Sequence, residues 1–355
     1  MSPVLQLILA ISALIILHEL GHFLAARLLK VEVEEFGLGF PPRMLTLFEL
    51  GNTKYSLNWL PLGGFVRLKG ENSPEDYDQP GSLHAAGPWT RLAIYAAGPA
   101  MNLLAAVIIY AFIVAQIGAP DLSKVVIVGI SPNSPASEAG LQDGDLITLV
   151  AGENIDSTDK LHNTIYAHLG ESIDLAYQRD DQINHVSLTP REIPPTGEGA
   201  IGILMSNPVQ SVDITQALPL GARATYNHAM LLLTLPGEII RGAIDPAMAR
   251  PVGYKGMYDI YQEVAKLESP IPESTVNLNI LQFFATITIS LGVINLLPIP
   301  ALDGGRILFT LPEIVLRRRI PLSWQNTINA ISMTALLLLF VYINLLDFIK
   351  PITLP

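Results

Sequence analysis

Residues 18–22 read His-Glu-Leu-Gly-His. On an α-helix, positions i and i+4 share a face, so His18 and His22 can grip one cation while Glu19 stands beside them as a general base must. Two imidazoles on zinc leave an open coordination position, where water is acidified to a pKa of about 7 and a carbonyl is polarised. A neighbouring carboxylate then takes the water's proton and delivers one to a leaving amine. The same pattern arises by chance in helices, where two His and a Glu face a polar cavity or pair with another helix. The surroundings argue against chance. The stretch from Val4 to about Leu29 is otherwise almost wholly apolar, and each ionisable group in a bilayer costs about 2.5–3.5 kcal/mol on insertion scales.

Those residues need a membrane helix to position them, and the composition supplies several. Of 355 residues, 50% are hydrophobic and 15% charged, against about 25% charged in soluble domains; the mean hydropathy is +0.41. Four stretches read as spans: Val4 to about Leu29, Arg91 to Ile117, Leu278 to Leu297, and Ile328 to Ile349. The first lacks a basic leader and a small-residue cleavage site, so it reads as a span and not as a signal peptide. The loop between the first two spans carries Lys30, Arg43, Lys54, Arg67, Lys69 and Arg91, and the loop between the last two carries Arg306 and Arg317-Arg318-Arg319. The positive-inside rule places both loops in the cytoplasm, with both termini and the central block outside. Residues 118–275 hold 20 of the 32 acidic side chains but only 9 of the 21 basic ones, so the whole excess of −11 lies in that block. An acidic surface disfavours nucleic acid as a partner.

The chain has no cysteine, so any metal must be held by His, Asp or Glu. His84 lies in the first cytoplasmic loop; His162, His168, His185 and His228 lie in the outside block, on the wrong side. Asp303 is the better third ligand, in Asn295-Leu-Leu-Pro-Ile-Pro-Ala-Leu-Asp303-Gly304-Gly305. His18 is nine residues from Arg27, or about 13 Å below the cytoplasmic end of its helix. Asp303 enters from the same side, where Pro298 and Pro300 break the third span and let the chain turn inward.

The remaining segments read as a β-hairpin and a soluble insert. Thr53 to Leu60, a turn at Pro61-Leu-Gly63-Gly64, and Phe65 to Lys69 form the hairpin, with Tyr55, Leu57 and Trp59 on one side. It either rests on the membrane face or holds substrate. Within 122–207, Asn133-Ser-Pro-Ala136, Glu138-Ala-Gly140-Leu141 and Asp143-Gly144-Asp145-Leu-Ile147 alternate glycine turns with apolar strands. This pattern resembles a bacterial PDZ domain in its circularly permuted form. A helix near Thr158–Leu169 and a late strand Ala200-Ile201-Gly202-Ile203 would flank its groove, which either takes an extended peptide or is idle in a domain that only occupies space. From 211 to 275, amphipathic helices (Ala222 to Leu235, Tyr258 to Leu267) alternate with turns, as an apolar platform on the outer membrane surface.

Taken together, HELGH at 18–22, Gly98-Pro-Ala-Met-Asn102, and Asn295-x-x-Pro-x-Pro-x-x-Asp303-Gly304 resemble the site-2 protease family, the zinc intramembrane metalloproteases, in the bacterial form with one PDZ domain. One departure is Pro41-Pro42, where the family more often has Gly-Pro. The resemblance implies one zinc per chain on His18, His22 and Asp303, Glu19 as the base, and Asn295 in contact with substrate. Asn102 matches a recurrent Asn near the active site, and Phe36-Gly-Leu-Gly-Phe40 with Pro61–Gly64 matches a reentrant β-region that presents substrate as a strand. Asn102 and Asn295 have a plainer alternative, as hydrogen bonds between helices. The implied fold is a mainly α polytopic membrane protein of about four spans, with a membrane-associated β-hairpin and one extracytoplasmic PDZ insert. Its segments are 1–30, 31–90, 91–117, 118–210, 211–276 and 277–355. The implied setting is the inner membrane and regulated intramembrane proteolysis. There the substrates are single-span proteins such as anti-sigma factors or remnant signal peptides, first trimmed by an upstream site-1 protease. Two rivals remain. A non-catalytic PDZ scaffold would leave Glu19 dispensable. A metal transporter would need more polar residues along the spans than the fourth contains.

Overall fold

A computed structural model describes residues 2–71, 74–245, 250–269 and 276–351. The chain divides into two compact units, one of residues 1–113 with 214–355 and one of residues 114–213.

Helix α1 (Pro3–Leu28) starts at the N-cap Ser2, whose hydroxyl accepts from Leu5 N–H, with Pro3 in the first turn, where its missing N–H costs nothing. Strands β1 (Val33–Leu50) and β2 (Thr53–Leu68) follow and pair antiparallel. Their tight turn is Gly51-Asn52, with Gly51 at φ +62°. The hairpin turn expected at Pro61–Gly64 is thus displaced: those residues lie inside β2, where Gly63 at φ +70° bends the strand. The bend returns the chain to β1, so that Gly37 pairs with both Ser56 and Phe65. Tyr55, Leu57 and Trp59 do share one face of β2, and it is the opposite, polar face that is turned inward. Ser56 and Asn58 are buried, while Tyr55 and Leu57 are half-buried and Trp59 is exposed. Buried Glu35 accounts for this, because its carboxylate accepts from Ser56 Oγ at 2.7 Å, from Arg43 Nε at 3.0 Å, and from Arg67. A buried carboxylate must be fully hydrogen-bonded, and that requirement draws the polar face inward.

Helix α2 (Pro88–Ile117) contains Pro99. A Cβ on Gly21 of α1 would lie 2.3 Å from the Ala97 carbonyl oxygen, so the backbones of α1 and α2 touch there, the close approach that small residues permit between membrane helices. The unit 114–213 contains β3 (Ala119–Pro120), β4 (Val125–Ile130), α3 (Pro135–Glu138), β5 (Leu146–Val150), β6 (Glu153–Asn154), α4 (Thr158–Ala167), β7 (Ile173–Arg179), β8 (Gln182–Leu188), β9 (Ile203–Ser206) and β10 (Val209–Gln210). Its main sheet runs β8-β7-β5-β4-β9, which leaves β9 on an edge, and β3 pairs with β10. Val125, Ile127, Ile147, Leu161 and Leu175 are at most 1% exposed in its core. The late strand begins at Ile203 rather than Ala200, because Gly202 at φ +73° is in a turn and not extended.

In the first unit, α5 (Ile214–Ile240) runs through Pro219 and Pro236, longer than the expected 222–235, and α6 spans Tyr254–Lys266. Helix α7 (Leu278–Leu296) carries the N-cap Asn277, α8 spans Asp303–Leu316, and α9 spans Leu322–Ile349. Helices α1, α2, α7 and α9 are long and apolar enough to cross a membrane. These are the four expected spans, the fourth starting six residues earlier. Ala106, Ile289 and Val293 join α2 to α7, with Ala229 and Leu232 of α5 against them. Helix α9 is largely exposed and is fastened near its two ends. Asn329 Oδ1 accepts from Ala301 N–H, while Asp347, wholly buried, accepts from Gly253 and Gly256 N–H at the start of α6 and from Arg250.

Candidate metal centre

One turn of α1 aims two imidazoles at the first residue of α8. His18 Nε2 lies 3.0 Å and His22 Nε2 3.3 Å from Asp303 Oδ2, and the two Nε2 atoms are 3.2 Å apart. All three side chains are nearly buried, and among the described residues theirs is the His/Asp/Glu cluster able to hold a metal. Tetrahedral zinc with bonds of about 2.0–2.1 Å needs donors about 3.3 Å apart, so this triangle has the right size.

The partners of the outer ring nitrogens decide whether the donors carry lone pairs. His22 Nδ1 is 2.8 Å from the Ile94 carbonyl, which can only accept, so the proton is on Nδ1 and Nε2 is free to ligate. His18 Nδ1 faces the Asn102 amide, with Nδ2 at 3.2 Å and with Oδ1 buried and unpartnered among the described residues. Rotating the amide presents Oδ1 instead, moves the His18 proton to Nδ1 and frees Nε2. Asn102 is held in place in turn, since Thr288 Oγ1 of α7 donates to its carbonyl. The residues present fit zinc.

Glycine makes room for this cluster. A Cβ on Gly98 would lie 2.3 Å from His22 Nε2 and 2.7 Å from His18 Nε2; on Gly304 it would lie 2.1 Å from the Leu297 carbonyl oxygen. Helix α2 passes directly against the donors, and α8 turns tightly back under the end of α7. Helix α8 itself was not foreseen, because Pro298, Pro300 and the paired glycines read as a break. Asp303 is its first residue, as suits a carboxylate at the positive end of a helix.

Glu19 stands at the edge of the triangle, where its Oε2 accepts from Val66 N–H of β2 at 3.1 Å. Gly63 and Gly64 pack on the same helix; Gly63 N–H donates to Ser12 Oγ, and a Cβ on Gly64 would lie 3.9 Å from Glu19 Cγ. A cavity of about 310 Å³ opens over these groups, lined by Glu19, Phe65, Val66, Asn102 and Asn295 among others. His84 is elsewhere, stacked on Tyr77 with ring centroids 4.5 Å apart. In the other unit, Ile201 is buried in the core, Gly202 packs on Ser134, and Ile203 opens the edge strand β9. Sequence reasoning missed the Ile94 carbonyl and the Val66 N–H, which are backbone groups without a side-chain signature. It also missed the spatial reason for Gly98, which only a helix crossing reveals.

The profile of Peptidase family M50 matches residues 6–339. A protein of Clostridium perfringens is 30% identical over 347 residues, 97% of this chain and 98% of its own. Identity to the regulator of sigma-W protease RasP of Bacillus subtilis is 26%, covering 97% of each chain. Identity to the zinc metalloprotease RasP of Bacillus licheniformis is 27%, covering 97% and 98%. The solved PDZ domain of an SdrC-like protein from Listeria innocua aligns with 25% of this chain and 98% of that one, at 26% identity and a TM-score of 0.21.

Proposed function

The chain belongs to peptidase family M50, and from that premise we propose that this zinc metalloprotease hydrolyses peptide bonds inside the membrane-spanning segments of single-span proteins. One observation carries the reading: two imidazoles on α1, a helix apolar enough to cross a bilayer, converge at 3.0–3.3 Å with the Asp303 carboxylate of α8, and a second carboxylate, Glu19, stands alongside.

His18, His22 and Asp303 would hold the zinc. Zinc bound there supplies a Lewis acid that polarises the scissile carbonyl and acidifies water. Glu19 takes the proton from the attacking water as the C–O bond forms and gives it to the amide nitrogen as the C–N bond breaks. The Val66 N–H fixes one Glu19 oxygen and leaves the other to carry the proton. Asn102 sets the His18 tautomer. A transmembrane helix hides its carbonyls in hydrogen bonds, so the substrate must unwind locally before attack. The stretch Gly63–Val66 beside Glu19 offers backbone for an extended segment, and Asn295 in the same cavity offers an amide to hold it. On the basic loops and acidic insert, both termini and residues 118–210 lie outside the cytoplasm. The insert is read as a PDZ domain from its glycine turns and sheet order, with the edge strand β9 available to a peptide. Single-span regulators such as anti-sigma factors are the proposed substrates, after trimming by a site-1 protease.

Glu19→Gln tests the assignment. The variant should keep its zinc, while cleavage of a co-expressed single-span protein falls by about 10²–10⁴, the range for losing a general acid–base. Zinc lost together with activity, or activity within a few-fold of the native chain, contradicts it.

A further inference from the structure

Beside the cavity of the metal centre lies a second, also of about 310 Å³. Glu71, Tyr95 and Arg306 line both and form the partition. Arg306 Nη1 donates to Glu71 Oε1 at 2.7 Å, and its guanidinium carbon is 5.7 Å from the Tyr95 ring centroid. Arg306 follows Asp303 by three positions in α8, which places both on one face of that helix.

The second chamber is short of acceptors. Arg91, Arg306 and Arg319 line it against two carboxylates, Glu71 and Glu313. Glu313 is shared by Arg91 and Arg319, so one guanidinium charge is left over. Arg91 Nε and His84 Nδ1 are buried there without a hydrogen-bond partner among the described residues. A guanidinium nitrogen only donates, so Arg91 Nε offers its proton to an acceptor that enters the chamber. Burial, and then the nearby Arg319 and Arg91, hold the His84 imidazole below its usual pKa against the opposing pull of Asp78 and Glu313.

Hydrolysis of a peptide bond adds OH to the carbonyl carbon and H to the nitrogen, which at neutral pH yields a carboxylate and an ammonium. The carboxylate forms beside Glu19 and Asp303, with the Arg306 guanidinium one helical turn beyond Asp303. The ammonium would be repelled by the second chamber. We propose that the chamber of Arg91, Arg306 and Arg319 is a product subsite that takes the new terminal carboxylate of the cleaved peptide, with Arg306 exchanging its Glu71 partner as the carboxylate passes. This rests on the peptidase reading above. The phosphate of an anionic lipid is also an oxyanion, and the test separates the two sources.

The full chain, stripped of metal with a chelator so that no zinc competes for the carboxylate, is titrated in neutral detergent with a fluorescent N-acetylated apolar hexapeptide, once as the free acid and once as the C-terminal amide. The acid should bind at least about tenfold more tightly, as charge-assisted pairing with a guanidinium implies. Arg319→Gln and, separately, Arg91→Gln should each reduce that preference to about twofold or less. Arg317→Gln, which removes a neighbouring guanidinium that does not line the chamber, should preserve it. Equal binding of acid and amide, or a preference surviving both chamber substitutions, overturns the proposal. So does displacement of the acid by phosphatidylglycerol but not by phosphatidylcholine, which identifies a lipid headgroup as the occupant. Cleavage is read separately on zinc-loaded native chain and Glu19→Gln. Cleavage without acid preference sinks the subsite alone, whereas acid preference without cleavage overturns its role in product release.

Discussion

Gly98 offers no atom to the metal, yet it sets whether the metal can bind. A methyl there would lie within 2.7 Å of both Nε2 donors, so Gly98→Ala should abolish stoichiometric zinc in the purified chain. Gly237→Ala, where the added carbon meets nothing within 4 Å, should leave zinc unchanged in the same metal analysis. Asn102 acts one step further out. Asn102→Ala removes the group that orients His18 and should weaken zinc binding about 10–100-fold, the usual cost of losing a ligand's outer partner. Asn102→Asp retains an acceptor for the His18 Nδ1 proton and should recover most of it, as read by competition with a chromophoric chelator. If both variants bind zinc like the native chain, Asn102 does not position His18. The residues brought together at the centre were legible because His, Glu and Asp are costly inside apolar sequence and their spacing has a helical period. The groups that orient them were not: the Ile94 carbonyl and the Val66 N–H are identical in every residue type.

At the scale of elements, the spans were legible because length and hydropathy alone define them. The turn of the β-region was misplaced because Pro61-Leu-Gly-Gly64 has turn chemistry, and the burial of the polar face of β2 is explained only once Glu35 is seen beneath it. Helix α8 escaped because a proline-broken segment that resumes as a helix looks, in sequence, like one that does not. The link between α6 and α9 was equally invisible, since Asp347 lies some ninety residues from the amides it accepts from. Asp347→Ala should leave Arg250 unpaired and two amides at the start of α6 unsatisfied. Removing one partner of a buried pair costs about 3 kcal/mol, so the detergent-solubilised variant should melt several degrees lower. Asp347→Asn, which still accepts, should recover part of the loss. A melting curve unchanged in Asp347→Ala would show that α6 is held without Asp347, by Tyr261 and its contacts with Leu7 and Ile11 and by the Asn344 Oδ1 that accepts from Tyr254 N–H.

For the whole molecule, orientation is the property that every functional argument depends on. Native chains lack cysteine, so single cysteines can report it. Gln79 and Asp159 are both exposed. In intact cells an impermeant thiol reagent should label Asp159→Cys and spare Gln79→Cys until the membrane is opened; the reverse pattern would invert the topology. The order of manufacture adds a consequence of the metal triangle. His18 and Asp303 are separated by 285 positions, so a ribosome has finished most of the chain before the third donor exists. If these three side chains hold the zinc, a nascent chain carries two imidazoles and a base but lacks the carboxylate that completes the site. On that assignment the protease would stay unarmed until most of its own spans have been made.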